Sequence, residues 1–200
     1  MLEVLWRPRA VYGALRDGAE GAFAARQEPV LALVFLAGIA AVLNFSTTTR
    51  ELLDDPVVDG ALVPVLIFLG GGIYGFAGYW LGGLALHLGI RGAKGESAFR
   101  TARHVLGFAL APLAASLILW PLRLAVFGRD SFRSGGSDEG AGYWAFTTLA
   151  LVFLAWSLVV LVVGVREVYG WTLVRALGAL SLTVLVLLGF AVLALAVGAG

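Results

Sequence analysis

The sequence predicts an all-α polytopic membrane protein with five transmembrane helices and an amphipathic interfacial helix at its N-terminus. Three observations carry this. Apolar residues make up 60% of the 200 and charged residues 14%, against roughly 45–50% and about 25% in soluble domains. Mean hydropathy is +0.93. Finally, long stretches contain no Asp, Glu, Lys or Arg: Pro29–Thr49, Gly60–Ile90, His104–Leu122, Gly140–Val165 and Ala176–Gly200. A helix crossing about 30 Å of hydrocarbon needs roughly 20 apolar residues. These runs are continuous rather than alternating, which argues against barrel strands.

The same numbers exclude a soluble globular enzyme and a disordered chain. A net charge of +1 provides no global field for nucleic acid, and the absence of cysteine removes disulfides, thiol nucleophiles and thiolate metal sites.

Taken in order, residues 1–28 read as a cytosolic or interfacial amphipathic segment and residues 29–200 as the membrane domain. Leu5, Pro8, Tyr12, Leu15, Ala19 and Ala22 recur at spacings of three and four, with Val11 and Phe23 beside them, while Arg9, Arg16, Asp17 and Glu20 occupy other faces. The first span is expected over 29–46. Gln27 and Glu28 stand before it and four more spans follow, so it is read as a span and not as a signal peptide. Thr48–Leu53 predicts a short helix with a threonine cap, stopped by Asp55-Pro56. The second and third spans are expected over 64–88 and 104–126, the latter disturbed by Pro112 and Pro121. Gly128–Gly142 reads as a polar, glycine-rich turn. The last two spans are expected over 144–165 and 173–197.

Orientation follows from Lys and Arg alone. With the N-terminus inside, ten of the fourteen basic residues lie on the inner side, leaving Arg50, Arg123, Arg129 and Arg133 outside. The expected protein is N-in and C-out in a cytoplasmic membrane. Arg123 is expected to snorkel out of its helix, and Glu167 to form an interfacial ion pair with an arginine across the inner turn before the last span.

Chemistry inside the spans is sparse. Gly71, Gly75, Gly78 and Gly82 lie four, three and four apart, a stripe that lets another helix backbone approach closely. Gly70-Gly71-Gly72 and Gly75 do not make a dinucleotide loop, because they sit inside an apolar span and not at a strand-to-helix turn. No Walker, HExxH or G-x-S-x-G motif is present. His87 and His104 lack a placed carboxylate and make a poor metal site. Ser116, Ser157 and Ser181 have no base at matching depth and are read as helix-to-helix hydrogen bonders. The span cores hold no ionisable residue of the kind that ion-coupled transport leaves. No catalytic, cofactor-binding or metal-binding residue is assigned.

Three stretches carry a family likeness. They are Leu5-Trp6-Arg7-Pro8-Arg9-Ala10-Val11-Tyr12 with Glu28-Pro29; Leu88–Arg100 running into Val105–Ala109 and Pro112; and Gly164–Thr172 followed by Arg175-Ala176. Together they resemble the Yip domain family, named for interaction with Ypt/Rab GTPases, and in particular its bacterial members. The resemblance covers about residues 5–195 and implies a five-helix membrane protein with a cytosolic N-terminus. Eukaryotic members are associated with vesicle trafficking, Rab-family partners and membrane shaping. This chain lacks their long polar N-terminal region, and the resemblance brings no catalytic residues.

The leading expectation is therefore a non-enzymatic scaffold or membrane-organising protein that touches lipid, a protein partner or a second copy. Arg7, Arg9, Arg16, Arg91, Lys94, Arg100 and Arg103 would form its inner-face basic patch. The alternative is a small transporter or permease component for a neutral or lipid-like substrate, with Tyr74, Tyr79, Trp80 and Ser116 lining its path.

Overall fold

The computed structural model describes residues 3–16 and 27–198, and among these every regular element is helical. The order is α1 (Glu3–Trp6), α2 (Pro8–Arg16), α3 (Gln27–Phe45), α4 (Thr47–Arg50), α5 (Leu62–Gly92), α6 (Phe99–Ala109), α7 (Ala111–Ala115), a 3-10 turn (Ser116–Ile118), α8 (Leu119–Phe127), a second 3-10 turn (Gly128–Phe132), α9 (Ala141–Tyr169) and α10 (Leu173–Gly198). Four helical runs are long and apolar enough to cross a membrane: Leu62–Gly92, Phe99–Phe132, Ala141–Tyr169 and Leu173–Gly198. Pro29–Phe45 is a shorter apolar helix. The chain is thus an integral membrane protein.

Local chemistry explains the helix ends. The Asp59 carboxylate accepts from the amides of Ala61 (2.8 Å) and Leu62 (3.0 Å), so α5 starts before residue 64. Its 31 residues span about 46 Å at ~1.5 Å each, longer than the hydrocarbon. α9 runs past Val165 to Tyr169 and closes at Gly170, whose φ is +63°; the Trp171 amide then donates to the Arg166 carbonyl at 3.1 Å, a Schellman ending. α4 starts one residue before the expected Thr48. Its cap is the Ser46 hydroxyl, which accepts from the Thr49 amide at 3.4 Å.

The third run is broken into pieces where a single helix over 104–126 is expected. Pro112 has no amide to donate, and its ring crowds the preceding turn. The Leu113 amide bonds instead to the Ser157 hydroxyl at 3.0 Å. At the N-terminus Pro8 is the first residue of α2, where its missing amide costs nothing. Val4, Tyr12 and Leu15 are buried while Trp6 is exposed. The expected continuation through Ala19, Ala22 and Phe23 lies outside the described residues.

Contacts divide the chain into two units. The first comprises Met1–Leu31, Ala77–Ala109 and Leu158–Gly200, and the second Ala32–Phe76 and Leu110–Ser157. The boundaries fall within α3, α5 and α9 and at the break between α6 and α7.

In the second unit α3 meets α5 backbone to backbone. A Cβ on Gly75 would lie 2.6 Å from the Val34 carbonyl oxygen and 3.2 Å from Gly38 Cα, and one on Gly71 would lie 2.7 Å from Ile39 Cα. Leu43, Val63, Ile67, Trp120 and Phe132 form its apolar cluster. In the first unit Tyr79, Leu86, Ile90, Val105, Phe108, Val165, Ala176 and Ala179 are buried. There α10 packs through small residues, Ala176, Ala179 and Thr183. A Cβ on Gly89 would lie 2.5 Å from the Ala179 carbonyl oxygen.

Candidate functional site

The three sequence stretches that carry the family likeness, Pro112 apart, come together in the first unit. Tyr12 of α2 is fully buried. Its hydroxyl donates to the Val105 carbonyl at 3.2 Å, and its ring stands edge-on to Phe108 at 6.4 Å. It also fills the space over Gly164, where a Cβ would come within 2.6 Å of its Cζ. Burial raises the Tyr12 phenol far above its usual range, so it stays a neutral donor. Nearby, Arg9 Nε lies 3.4 Å from Glu167 Oε1, with Arg9 74% exposed; such a bridge is worth ~0–1 kcal/mol.

The connection after α5 is clamped by the start of α10 and the turn before it. Arg175 donates to the Ala93 carbonyl from Nε (3.3 Å) and Nη2 (3.1 Å), and to the Lys94 carbonyl from Nη2 (2.8 Å). Its guanidinium also lies 4.2 Å from the Trp171 ring centroid. The Ser97 and Tyr169 hydroxyls are 2.9 Å apart. Trp171 covers Gly95, where a Cβ would lie 2.6 Å from its Cη2.

Clamping fixes an unusual backbone. Lys94 has φ +58°, the left-handed region that favours glycine. The Lys94 amide donates to the Arg91 carbonyl (2.9 Å) and the Gly95 amide to the Ile90 carbonyl (3.0 Å). These are the two bonds of a Schellman ending, with lysine in the position glycine ordinarily takes.

The residues expected to form a basic patch all belong to this unit. Arg7, Arg9, Arg16, Arg91, Lys94 and Arg100 are exposed. Arg103 is placed differently. Its guanidinium carbon lies 3.8 Å from the Trp80 ring centroid, 4.7 Å from that of Phe99 and 5.5 Å from that of Tyr79, and its Nε is buried without a hydrogen-bond partner. The cation is thus held in an aromatic box. His104 is buried and donates from Nδ1 to the Arg100 carbonyl at 2.8 Å. Among the described residues no group of three or more His, Asp or Glu side chains could hold a metal ion.

The glycine stripe is divided. Gly71 and Gly75 face α3, and a Cβ on Gly82 would come 2.9 Å from Leu106 Cδ2, the end of a flexible side chain. Gly78 is exposed and a Cβ there would meet nothing within 4 Å. The buried row of α5 continues from Gly75 through Tyr79 and Gly83, four apart, because successive i+4 positions form one ridge. Gly38, the partner of Gly71 and Gly75, is missing from the sequence reading, as a lone glycine in an apolar run carries no periodic signal.

Tyr74, Tyr79, Trp80 and Ser116 are spread over both units. In the first, Tyr79 is buried and Trp80 is half exposed under Arg103. In the second, Tyr74 is 69% exposed and lines shallow grooves beside Val42 and Ser46. Ser116 is fully buried there. It donates to the Leu113 carbonyl (2.6 Å) and accepts from Asn44 Nδ2 (3.2 Å), while Asn44 Oδ1 accepts from Trp120 Nε1 (2.9 Å).

Arg123 departs from the snorkelling expectation. It is 4% exposed and paired with Asp138, itself 1% exposed, with its guanidinium carbon 4.9 Å from the Trp120 ring centroid. Asp138 comes from the glycine-rich connection, which is packed rather than loose. Ser131, Phe132 and Asp138 are all buried, the Phe132 carbonyl accepts from the Leu53 amide at 3.0 Å, and Asp54 accepts from both the amide and hydroxyl of Ser134.

Comparison with known proteins adds one positive finding. No curated protein and no solved structure matches the chain. The Yip1 domain matches residues 2–196, essentially its whole length, and contains all three converging stretches. The chain belongs to the Yip1 domain family.

Proposed function

We propose that this protein is a non-enzymatic membrane organiser, a scaffold that uses the basic face of its first unit to engage anionic lipid headgroups or a protein partner. The observation that carries this reading is the exposure of Arg7, Arg9, Arg16, Arg91, Lys94 and Arg100 within a unit whose α5–α6 connection is clamped by Arg175, Trp171 and Tyr169. A basic side chain near an anionic leaflet contributes about 1 kcal/mol, so six of them form a substantial electrostatic footprint. Holding the connection in one conformation reduces the ordering entropy of contact.

The reading includes five spans, with Pro29–Phe45 as the shortest, the N-terminus inside and α2 lying at the inner interface of a cytoplasmic membrane. The positive-inside count supports that orientation. The buried, hydrogen-bonded state of Ser116 and the burial of Tyr79 favour packing roles for them over a transport path.

The test places a photo-crosslinking residue at Lys94 and another at Ala10, beside Arg9, in native membranes, with adducts identified by mass spectrometry. Discrete protein adducts or anionic-lipid adducts at these sites are expected. Labelling no stronger than at a residue on the lipid-facing side of α10 would overturn the reading.

A further inference from the structure

The second unit contains a groove that the basic face does not explain. It has a volume of about 330 Å³ and is walled by Ile39, Leu43, Ile67, Phe68, Trp120 and Leu124. The stacked rings of Trp120 and Phe132, 5.6 Å apart, belong to the same lining. Arg129 is the charged residue of the lining. It lies against Gly60, where a Cβ would come 3.1 Å from its Nη2. Phe68 and Leu124 are 56% and 42% exposed on runs apolar enough to cross a membrane, so the groove opens on a lipid-facing surface.

Its chemistry selects the occupant. An extended peptide would bring backbone amides and carbonyls that apolar walls cannot satisfy. A hydrocarbon chain brings no such groups. Arg129 supplies the polar contact: it is exposed, and among the described residues no carboxylate lies within ion-pair distance of it. A cation in the lining of an apolar groove complements a phosphate.

We propose that this groove holds one acyl chain of a membrane phospholipid whose phosphodiester is bound by Arg129. The occupant differs in kind from the diffuse headgroup contact of the basic face, because it is a single lipid held at a defined position. Asp54, Asp55, Asp59 and Asp130 lie in the connections that flank the groove. They disfavour a headgroup with net negative charge, so a zwitterionic phospholipid suits the site better than an anionic one.

The test uses the full chain in nanodiscs with phosphatidylethanolamine, phosphatidylglycerol or diacylglycerol, each carrying a diazirine on one acyl chain. Peptide mapping should find labelling on 63–68 and 117–124 at least fivefold above that on the exposed Leu185 and Leu188 of α10. Phosphatidylethanolamine should label at least as strongly as phosphatidylglycerol. Leu124→Trp, which fills the groove, should lower groove labelling about fivefold and leave α10 labelling unchanged. Arg129→Gln should lower it about threefold for both phospholipids. Groove labelling equal to that of α10, or diacylglycerol labelling as strong as that of the phospholipids, would overturn the proposal. Should Leu124→Trp fail to fold, native mass spectrometry of the wild type decides. One phospholipid retained per chain after detergent exchange, and lost in Arg129→Gln, is expected; retention of none overturns it.

Discussion

Removing Asp138 leaves the Arg123 guanidinium buried with no counter-ion, in surroundings that include the Trp120 ring. Unit charges about 4 Å apart in an effective dielectric of about 20 attract by ~4 kcal/mol. Desolvating the two ions costs several kcal/mol each, so the intact pair contributes little net stability, whereas breaking it by removing one partner costs about 3–5 kcal/mol. Asp138→Ala should therefore shift the unfolding equilibrium by roughly two to three and a half orders of magnitude at ~1.4 kcal/mol per decade. The double variant Arg123→Met/Asp138→Leu should recover most of that loss. The assay is reversible unfolding of the full chain in mixed micelles, followed by tryptophan fluorescence, in a double-mutant cycle. A loss below about 1 kcal/mol for Asp138→Ala, or a coupling near zero, would refute the argument that the pair is a desolvated unit.

Three further outcomes follow from particular contacts. Gly75→Ala forces a methyl onto the Val34 carbonyl and Gly38 and should destabilise by about 1–3 kcal/mol, while Gly78→Ala, facing open space, should be neutral or slightly stabilising in the same unfolding assay. Lys94→Gly should gain about 1 kcal/mol by relieving the left-handed backbone, and Lys94→Ala should gain nothing, as thermal melting of the two variants will distinguish. The Asp54 carboxyl is held below its usual range chiefly by the Ser134 hydroxyl and then by the Ser134 amide. A depressed folded pKa means the contribution is present above the unfolded carboxylate value of about 3.9 and is lost as pH falls through the folded one. Hydrogen exchange at the Ser134 amide, corrected for its intrinsic rate, should accelerate only once pH falls below the ordinary carboxylate range, and Asp54→Asn should abolish that pH dependence.

Much of the architecture is legible in the sequence because the bilayer sets a length scale that uncharged runs display directly. Leu62–Gly92, Ala141–Tyr169 and Leu173–Gly198 contain the expected spans and exceed them, since Arg91 and Arg166 sit within the helices they were expected to bound. The break near Pro112 also has a visible cause. What a linear reading misses depends on long-range placement. Arg123 looks like a span-end charge because its partner, fifteen residues on, lies in a stretch whose glycines suggest looseness. After α5 the left-handed position falls on Lys94, while Trp171 takes the space over Gly95. Gly71 and Gly75 are recognisable, whereas the choice of Tyr79 and Gly83 over Gly78 for the rest of the ridge depends on which neighbours arrive.

The narrow seam of α10 has a mechanical consequence. Lipid tails are as apolar as leucine, so the many exposed leucines and valines of this helix do not bind it to the protein. It is held by the small-residue track at Ala176, Ala179 and Thr183 and by the Arg175 clamp. Pulled from the C-terminus in a bilayer, the molecule should yield at α10 first and at low force, giving up its last helix as a discrete step before the clamp at Arg175 resists.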